Sequence, residues 1–335
     1  MNVRQAVVMV GGMGTPLRPL TENKPKPMLS VADKPCIWYL LRSMARAGIT
    51  EVILACGYKP GMMESLGDGS DLGIRIIYSY EDEPLGTAGV QTCALPIFLL
   101  YGDVFADIDV KKEVEEHFRT GASITIALTP VENPCEFGIA RVDDEGRILE
   151  FKEKPKPEEV FSNLINAGVY VVDKTVLDHV PVGTFYDFSK DLVKDLMHNG
   201  KRIQSYSLNG VWMDVGRPHD LLEANLAVAE REYGLKEWSS SVECCVKGGF
   251  YLGPGAFIGN STSVRSVISK GSKVVDSNLD RVLILNDCKI DGARITNSIL
   301  GDRCIVKRGA TVSNAVLADD TVVESGQVIE GDRIV

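Results

Sequence analysis

The sequence is short of positive charge. Its 335 residues carry 36 Lys+Arg against 46 Asp+Glu, a formal net charge of −10. A nucleic-acid partner calls for a basic face, so DNA and RNA are excluded as main partners. A local phosphate pocket is still allowed. Long hydrophobic runs are missing too. The apolar run at 6–10 stops at Gly11-Gly12, too short for a signal h-region or a membrane span, so a cytoplasmic protein without a membrane partner is expected. Eight cysteines (Cys36, Cys56, Cys93, Cys135, Cys244, Cys245, Cys288 and Cys304) include no CxxC pair. Zinc-ligand spacing is therefore absent, and the thiols read as small buried hydrophobes in a reducing compartment. Histidine is scarce: His117, His179, His198 and His219 stand in polar contexts, form no Cys–His or Ser–His arrangement, and read as surface residues.

What is present describes a globular chain with room for a sizeable core. Hydrophobic residues make up 44% and charged ones 24%, and the length suggests two domains. The run at 6–10 reads as a strand covered on both faces. A glycine-rich loop follows, then a helix over 35–47 with Ile37, Leu40, Leu41 and Met44 at helical spacing. Pro35 suits its first turn and Gly48 the position just past its end. The next strand is 51–55. Such β-α-β succession predicts a doubly wound α/β fold with a mostly parallel sheet, whose ligands sit at the carboxyl ends of the strands.

Beyond 232 the composition changes. Residues 217–231 read as a helix linking two domains, 1–235 and 236–335. After Gly248 short Val/Ile runs alternate with Gly, Asp, Asn and Ser, and apolar residues recur six apart: Ile258/Val264, Ile268/Val274, Ile284/Ile290, Ile299/Ile305, Val306/Val312 and Val316/Val322/Val328. A six-residue period predicts a parallel β-helix. A β-sandwich is the other fold that short strands with polar turns allow.

The loop from Gly11 to Thr21 (GGMGTPLRPLT) directly follows the first strand. Its glycines let backbone N–H groups approach phosphate oxygens. Leu17 stands where the dinucleotide fingerprint has its third glycine, and no GKS or GKT ending follows, so neither hydride transfer nor ordinary ATPase chemistry is supported. Read with Lys24-Pro25-Lys26-Pro27-Met28, the loop resembles the signature of sugar-1-phosphate nucleotidylyltransferases, the nucleotide-sugar pyrophosphorylases. Further matches come in family order: Glu83-Pro84-Leu85-Gly86-Thr87-Ala88-Gly89, Gly102-Asp103, Glu153-Lys154-Pro155, Asn166-Ala167-Gly168 and Trp212-Met213-Asp214-Val215-Gly216. The hexad region resembles the left-handed β-helix that many of these enzymes carry. The resemblance covers nearly the whole chain, and is nearest to mannose-1-phosphate guanylyltransferases and glucose-1-phosphate nucleotidylyltransferases. It implies a Rossmann-like, doubly wound mixed sheet followed by a left-handed parallel β-helix.

The reaction so implied joins a nucleoside triphosphate to a sugar 1-phosphate and releases pyrophosphate. The attacking oxygen is already anionic, so catalysis reduces to in-line positioning and neutralising charge. By resemblance, Asp103 and Asp214 hold Mg²⁺, a hard octahedral ion suited to two carboxylates with waters and phosphates. Lys26 lies against the triphosphate, and Lys24 reads as the solvated loop lysine of the pair. Arg18, Gly11, Gly12, Gly14 and Thr15 belong to the nucleotide, as do Glu81, Gly86 and Thr87 on the base side. Lys154 grips the sugar phosphate, Glu153 accepts from sugar hydroxyls, and Gly138 and Asn166 line the same pocket. Glu81 stands where pyrimidine-using relatives have a glutamine. A carboxylate only accepts, which suits the adjacent N1–H and N2–H₂ donors of guanine, so GTP and a GDP-mannose product are favoured. UTP or dTTP with glucose 1-phosphate is the alternative within the class. A homo-oligomer is expected.

Three departures from the family stand out. Pro16 replaces the arginine of Gly-Thr-Arg, removing a charge, five donors and a backbone N–H. Loss of one such donor costs about 10²–10³ in turnover. That change favours a regulatory subunit that binds nucleotide sugar without making it; intact Lys26, Asp103 and Asp214 oppose it. Val10 replaces a small alanine, adding bulk near the nucleotide. Only twelve residues separate Gly89 from Gly102, with Pro96 among them, too few for the family's helix plus strand. The stretch 90–97 therefore reads as a deletion or an erroneous segment. Acetyl transfer on the β-helix, which uses a histidine there, is disfavoured because none follows His219.

Overall fold

A computed structural model describes residues 3–12, 14–57, 60–80, 97–102, 104–181, 186–234, 245–331 and 333–334. The apolar run after the N-terminus forms the strand Gln5–Met9, whose three central residues are buried. It pairs in parallel with Glu51–Cys56 on one side and Ile97–Tyr101 on the other, and Glu51–Cys56 pairs in parallel with Arg75–Tyr80. Beyond Ile97–Tyr101 the sheet turns largely antiparallel, although Ile203–Ser207 pairs in parallel with Ile124–Pro130. Leu164–Val172 runs against Ile97–Tyr101, Ile124–Pro130 and Gly138–Val142, and Ile148–Glu153 runs against Gly138–Val142. The nine-stranded sheet is thus mixed rather than mostly parallel.

Contacts divide the chain into two units: Met1–Gly12 with Ile37–Trp212, and Met13–Cys36 with Met213–Val335. The first unit holds the sheet. The helix Cys36–Arg46 buries Ile37, Leu40, Leu41 and Met44, as their spacing requires. Gly48 beyond it takes φ +87°, which only glycine adopts readily. The helix Val110–Thr120 starts at Asp109, whose carboxylate accepts from Lys112 N–H, and stops at left-handed Gly121. Its inner face carries Val110, Glu113 and His117, all buried. His117 is therefore not a surface residue. Its Nδ1 lies 3.0 Å from Thr125 Oγ1, and burial pushes its pKa down. Glu113 is fully enclosed, its Oε1 has no hydrogen-bond partner, and burial pushes its pKa well up.

The second unit contains the predicted linking helix, Pro218–Val228, continued by a wider turn over Ala229–Tyr233. Buried Asn225 fastens the early segment to that helix. Its Oδ1 accepts from Ala32 N–H at 2.7 Å, and its Nδ2 donates to Ser30 O at 3.1 Å. The remainder is a parallel β-helix. Among the described residues every strand pair in it is parallel, which excludes the sandwich. Its coil length and short strands are those of the left-handed hexapeptide form.

The stacking register differs from a strict hexad. True neighbours are one coil apart: Ile258, Val274, Ile290, Val306 and Val323 form one column, at steps of 16, 16, 16 and 17 residues. Ile268, Ile284, Leu300 and Leu317 form another, and Leu279, Ile295, Val312 and Ile329 a third. All are buried, so each coil turns three corners with inward steps of five or six residues. The hexad reading slips by one in several places: Ser263 stands in the inward column rather than Val264, Leu300 and Val306 rather than Ile299 and Ile305, and the same slip recurs at the end. Val322 and Val328 are 45% and 69% exposed, and the inward residues are Val323 and Ile329. Small residues fill the corners and hydrogen-bond between coils; Ser261 Oγ accepts from Ser277 N–H, and Ser277 Oγ from Ala293 N–H.

Candidate functional site

The sequence-predicted site residues fall into two groups, one in each unit. Gly11 and Gly12 stand exposed at the carboxyl end of Gln5–Met9, where open α/β sheets bind ligands. A Cβ on Gly57 would lie 3.1 Å from Gly11 Cα, so the ends of neighbouring strands approach closely there. Val10 is buried, and a Cβ on Gly102 would lie 2.5 Å from its Cγ1. The bulk of that substitution is thus accommodated inside, against Gly102.

In the second unit Gly14 takes φ +60° and caps the short turn Thr15–Leu17. A Cβ there would meet Thr21 Cγ2 at 3.0 Å and Lys26 Cβ at 3.2 Å. Thr21 Oγ1 donates to Gly14 O at 2.8 Å, closing the loop on itself. Leu17 anchors the turn in the core, while Thr15, Pro16 and Arg18 face solvent. Pro16 fits the first turn, where a missing N–H costs nothing. Arg18 is thus an exposed cation on the same short loop.

Lys26 is buried, and its Nζ lies 3.5 Å from Asp214 Oδ1. The Lys24–Met28 segment and Asp214 therefore meet at this ion pair. Asp214 is half-exposed, and a Cβ on Gly216 would sit 2.7 Å from its Oδ2. Glycine at 216 keeps the space around that oxygen open. Among the described residues no three His, Cys, Asp or Glu side chains gather as a metal cage. The carboxylate of Asp214 is a hard oxygen donor, the chemical type that a small divalent ion keeping waters and phosphate oxygens takes.

Lys24 is not the solvated lysine expected. Its ammonium pairs with Asp302 and lies 3.5 Å from Asp319, both on the β-helix.

In the first unit Glu153 sits opposite Gly138 in the antiparallel pair. A Cβ on Gly138 would come within 2.5 Å of Phe151 Cζ and 2.6 Å of Glu153 Oε2, so only glycine leaves this carboxylate its place. Burial raises the pKa of Glu153, and Asp187 adds to that, while Lys154, Lys190 and Lys194 oppose it. Lys154 is exposed, takes φ +45°, and donates its N–H to Phe137 O. Asn166 is buried. Its Nδ2 donates to Tyr170 Oη at 2.7 Å and Ser189 Oγ at 3.1 Å, and its Oδ1 accepts from Gly168 N–H. Both amide hydrogens are engaged, so what Asn166 can offer a ligand is a remaining carbonyl lone pair.

These motifs interlock. Trp212 Nε1 donates to Ala167 O at 2.8 Å, and a Cβ on Gly168 would lie 2.4 Å from Tyr101 Cδ2. Ser189, Tyr170, Asp187 and Lys190 went unnoticed in the sequence. Asp187 offered one signal: it caps the turn Phe188–Leu192 as an Asx-type residue before an apolar segment. Asp103, Glu81, Gly86, Thr87 and the stretch 90–96 lie outside the described residues.

A nucleotidyl transferase family model matches residues 5–231, and a GlmU-like C-terminal hexapeptide model matches residues 257–334. The chain is 36% identical over 269 residues to the mannose-1-phosphate guanylyltransferase catalytic subunit beta of Drosophila melanogaster, covering 77% of this chain and 69% of that protein. It is 33% identical over 299 residues to the mannose-1-phosphate guanylyltransferase of Mycobacterium tuberculosis, covering 85% and 81%. To the mannose-1-phosphate guanyltransferase of Gibberella zeae it is 33% identical over 336 residues, covering 89% and 91%. Its fold is similar to that of a putative glucose-1-phosphate thymidylyltransferase from Bacillus anthracis, solved with sucrose. There the TM-score is 0.62 at 24% identity, covering 69% of this chain and 97% of that one; at that identity the likeness is one of fold alone. Among the described residues no helix is long and apolar enough to cross a membrane.

Proposed function

The chain belongs to the nucleotidyl transferase family, and from that membership we propose that it transfers a guanylyl group from GTP to mannose 1-phosphate, giving GDP-mannose and pyrophosphate. The observation that carries this is the Lys26–Asp214 pair, beside a Gly14 whose left-handed backbone and close neighbours strain any larger residue. The choice of mannose rests on the names of the relatives, and that of guanine on Glu81.

The attacking oxygen of a sugar 1-phosphate needs no proton removed, so the residues position and neutralise. Lys26 holds its ammonium against charge developing at the α-phosphate. The backbone of Gly11, Gly12, Gly14 and Thr15 cradles the triphosphate, and Arg18 takes the role of the arginine that Pro16 displaced. Glu81, Gly86 and Thr87 receive the base. Lys154 grips the sugar phosphate, Glu153 accepts from sugar hydroxyls, and Gly138 and Asn166 shape that pocket. Enzymes of this kind generally use a divalent metal; we assign Mg²⁺ to Asp214 and Asp103, where a bound ion would neutralise phosphate charge. Our domain division is 1–235 for catalysis and 236–335 for the β-helix. We also assign a cytoplasmic homo-oligomer, with the buried thiols of Cys56, Cys288 and Cys304 suited to a reducing compartment.

Four nucleoside triphosphates against three sugar 1-phosphates, read by pyrophosphate release, test the assignment. GTP with mannose 1-phosphate should give the highest kcat/KM, and Asp214→Ala should abolish it. A best pair of UTP or dTTP with glucose 1-phosphate would overturn the base and sugar choice. Pro16 favours the regulatory reading, in which nucleotide sugar binds but no pair turns over.

A further inference from the structure

The ion pair at Lys24 lies outside the reaction just described, yet it has the features of a built device. Asp302 and Asp319 stand at one corner of the β-helix, on successive coils, and both side chains are about nine-tenths buried. Each is fixed by its neighbouring coil. Asp302 Oδ1 accepts from Asn286 N–H at 3.0 Å and Nδ2 at 3.1 Å, and Asp302 N–H donates to Asp319 Oδ1 at 2.8 Å. The second oxygen of each carboxylate turns to Lys24 Nζ. Arg303 is the other cation nearby, 3.9 Å from Asp319, but it makes its short paired hydrogen bonds to Asp320. Two adjacent buried carboxylates repel each other and need a cation between them. That cation comes from the nucleotide loop.

Lys24 is two residues from Lys26, and Pro25 stands between them at φ −66° with Pro27 following. Prolines remove φ freedom, so a displacement at 24 is transmitted to 26 instead of being absorbed. Lys26 then opens the short turn Lys26–Met28 and meets Asp214. All of these residues belong to one unit, Met13–Cys36 with Met213–Val335.

We infer that Lys24 is a positioning residue: clamped by the β-helix carboxylates Asp302 and Asp319, it sets the Lys-Pro-Lys-Pro loop so that Lys26 stands beside Asp214. The β-helix is thereby a working part of the transferase. The effect on turnover rests on the role proposed above for Lys26; the clamp itself does not.

The test compares the full chain with Lys24→Met, Lys24→Arg, the Asp302→Asn/Asp319→Asn pair and the triple change of Lys24→Met with that pair. Steady-state pyrophosphate release and hydrogen exchange of the amides at 20–28 are measured, with thermal melting as a check on folding. Lys24→Met and the asparagine pair should each lower kcat about 10–100-fold, the scale of a small misplacement of a catalytic group. KM for the sugar 1-phosphate should hold. The triple change should do no worse than either, Lys24→Arg should stay near wild type, and loop exchange should quicken in the clamp-broken variants. Wild-type kcat in the asparagine pair would overturn the positioning role, as would losses that multiply in the triple change, since Lys24 would then act on substrate directly. Wild-type exchange would overturn the clamp. If the unaltered chain turned over no substrate pair, the functional proposal would fall and the exchange data alone would decide the clamp.

Discussion

Gly216→Ala separates site geometry from stability more cleanly than removal of a charged residue. The new Cβ would lie 2.7 Å from Asp214 Oδ2. Carbon and oxygen settle no closer than about 3.3 Å, so the carboxylate must retreat by roughly 0.6 Å. The atom in the way is the end of a short side chain, and the backbone of Gly216 is outside the left-handed region. The fold can therefore yield by swinging Asp214. An alanine also restricts the unfolded chain, which offsets the crowding by about 0.4–1 kcal/mol. Stability should stay within about 1 kcal/mol of wild type. Activity should not: a misplacement approaching 1 Å costs up to about 10²-fold, so kcat should fall by roughly 10–100-fold, about 1.4–2.7 kcal/mol in the barrier. The assay is pyrophosphate release over a range of divalent-ion concentrations, alongside urea unfolding. Turnover within about twofold of wild type at unchanged stability would refute the role given to Asp214, because the same displacement would then be harmless.

Pro16→Arg should leave kcat within a few-fold of wild type, because Arg18 supplies the displaced charge; a rise of about 10²–10³ would show that Arg18 does not take that role. Glu113→Gln should flatten the pH dependence of stability. The folded state holds the Glu113 proton while the unfolded chain releases it above its ordinary value of 4.5, so stability falls as pH rises past that point. Urea unfolding at pH 5 and pH 8 should show the difference in wild type, by at most about 1.4 kcal/mol per pH unit, and a smaller one in the variant. In the β-helix, Ile290→Ala should cost about 2–5 kcal/mol, whereas Val328→Thr, one residue from inward Ile329, should stay within about 0.5 kcal/mol. Equal costs would mean that the inward register is wrong.

The parallel half of the sheet was legible because an apolar run, a glycine loop and an amphipathic helix each carry a local signal. Cys36–Arg46 formed where Ile37, Leu40, Leu41 and Met44 announced it. The antiparallel half was not, because period and propensity name a strand without naming its partner. The β-helix is legible as a class, yet inward steps of five and six residues average to a near-hexad, so a strict six-residue count falls one residue off the inward columns at Val264, Ile299, Ile305, Val322 and Val328. The polar neighbours of His117 point to the surface, whereas the residue is buried. Its spacing of seven from Val110 and four from Glu113 put it on the inner stripe, but the stripe is thin in apolar residues. At the site, the sequence marks Gly11, Gly12 and Gly14 as a phosphate cradle and Gly138 as pocket lining, but not that Gly138 leaves room for Glu153 Oε2, Gly168 for Tyr101 and Gly216 for Asp214 Oδ2. Lys24 could not be read at all, since its partners are 278 and 295 residues away.

The central claim is guanylyl transfer that depends on Lys26 and Asp214. Its most direct measurement is chromatographic product analysis of purified chain incubated with GTP, mannose 1-phosphate and Mg²⁺. GDP-mannose and pyrophosphate should appear in equal amounts, and Lys26→Met should remove both. GTP consumed without nucleotide sugar, or product formation indifferent to Lys26, would contradict the account.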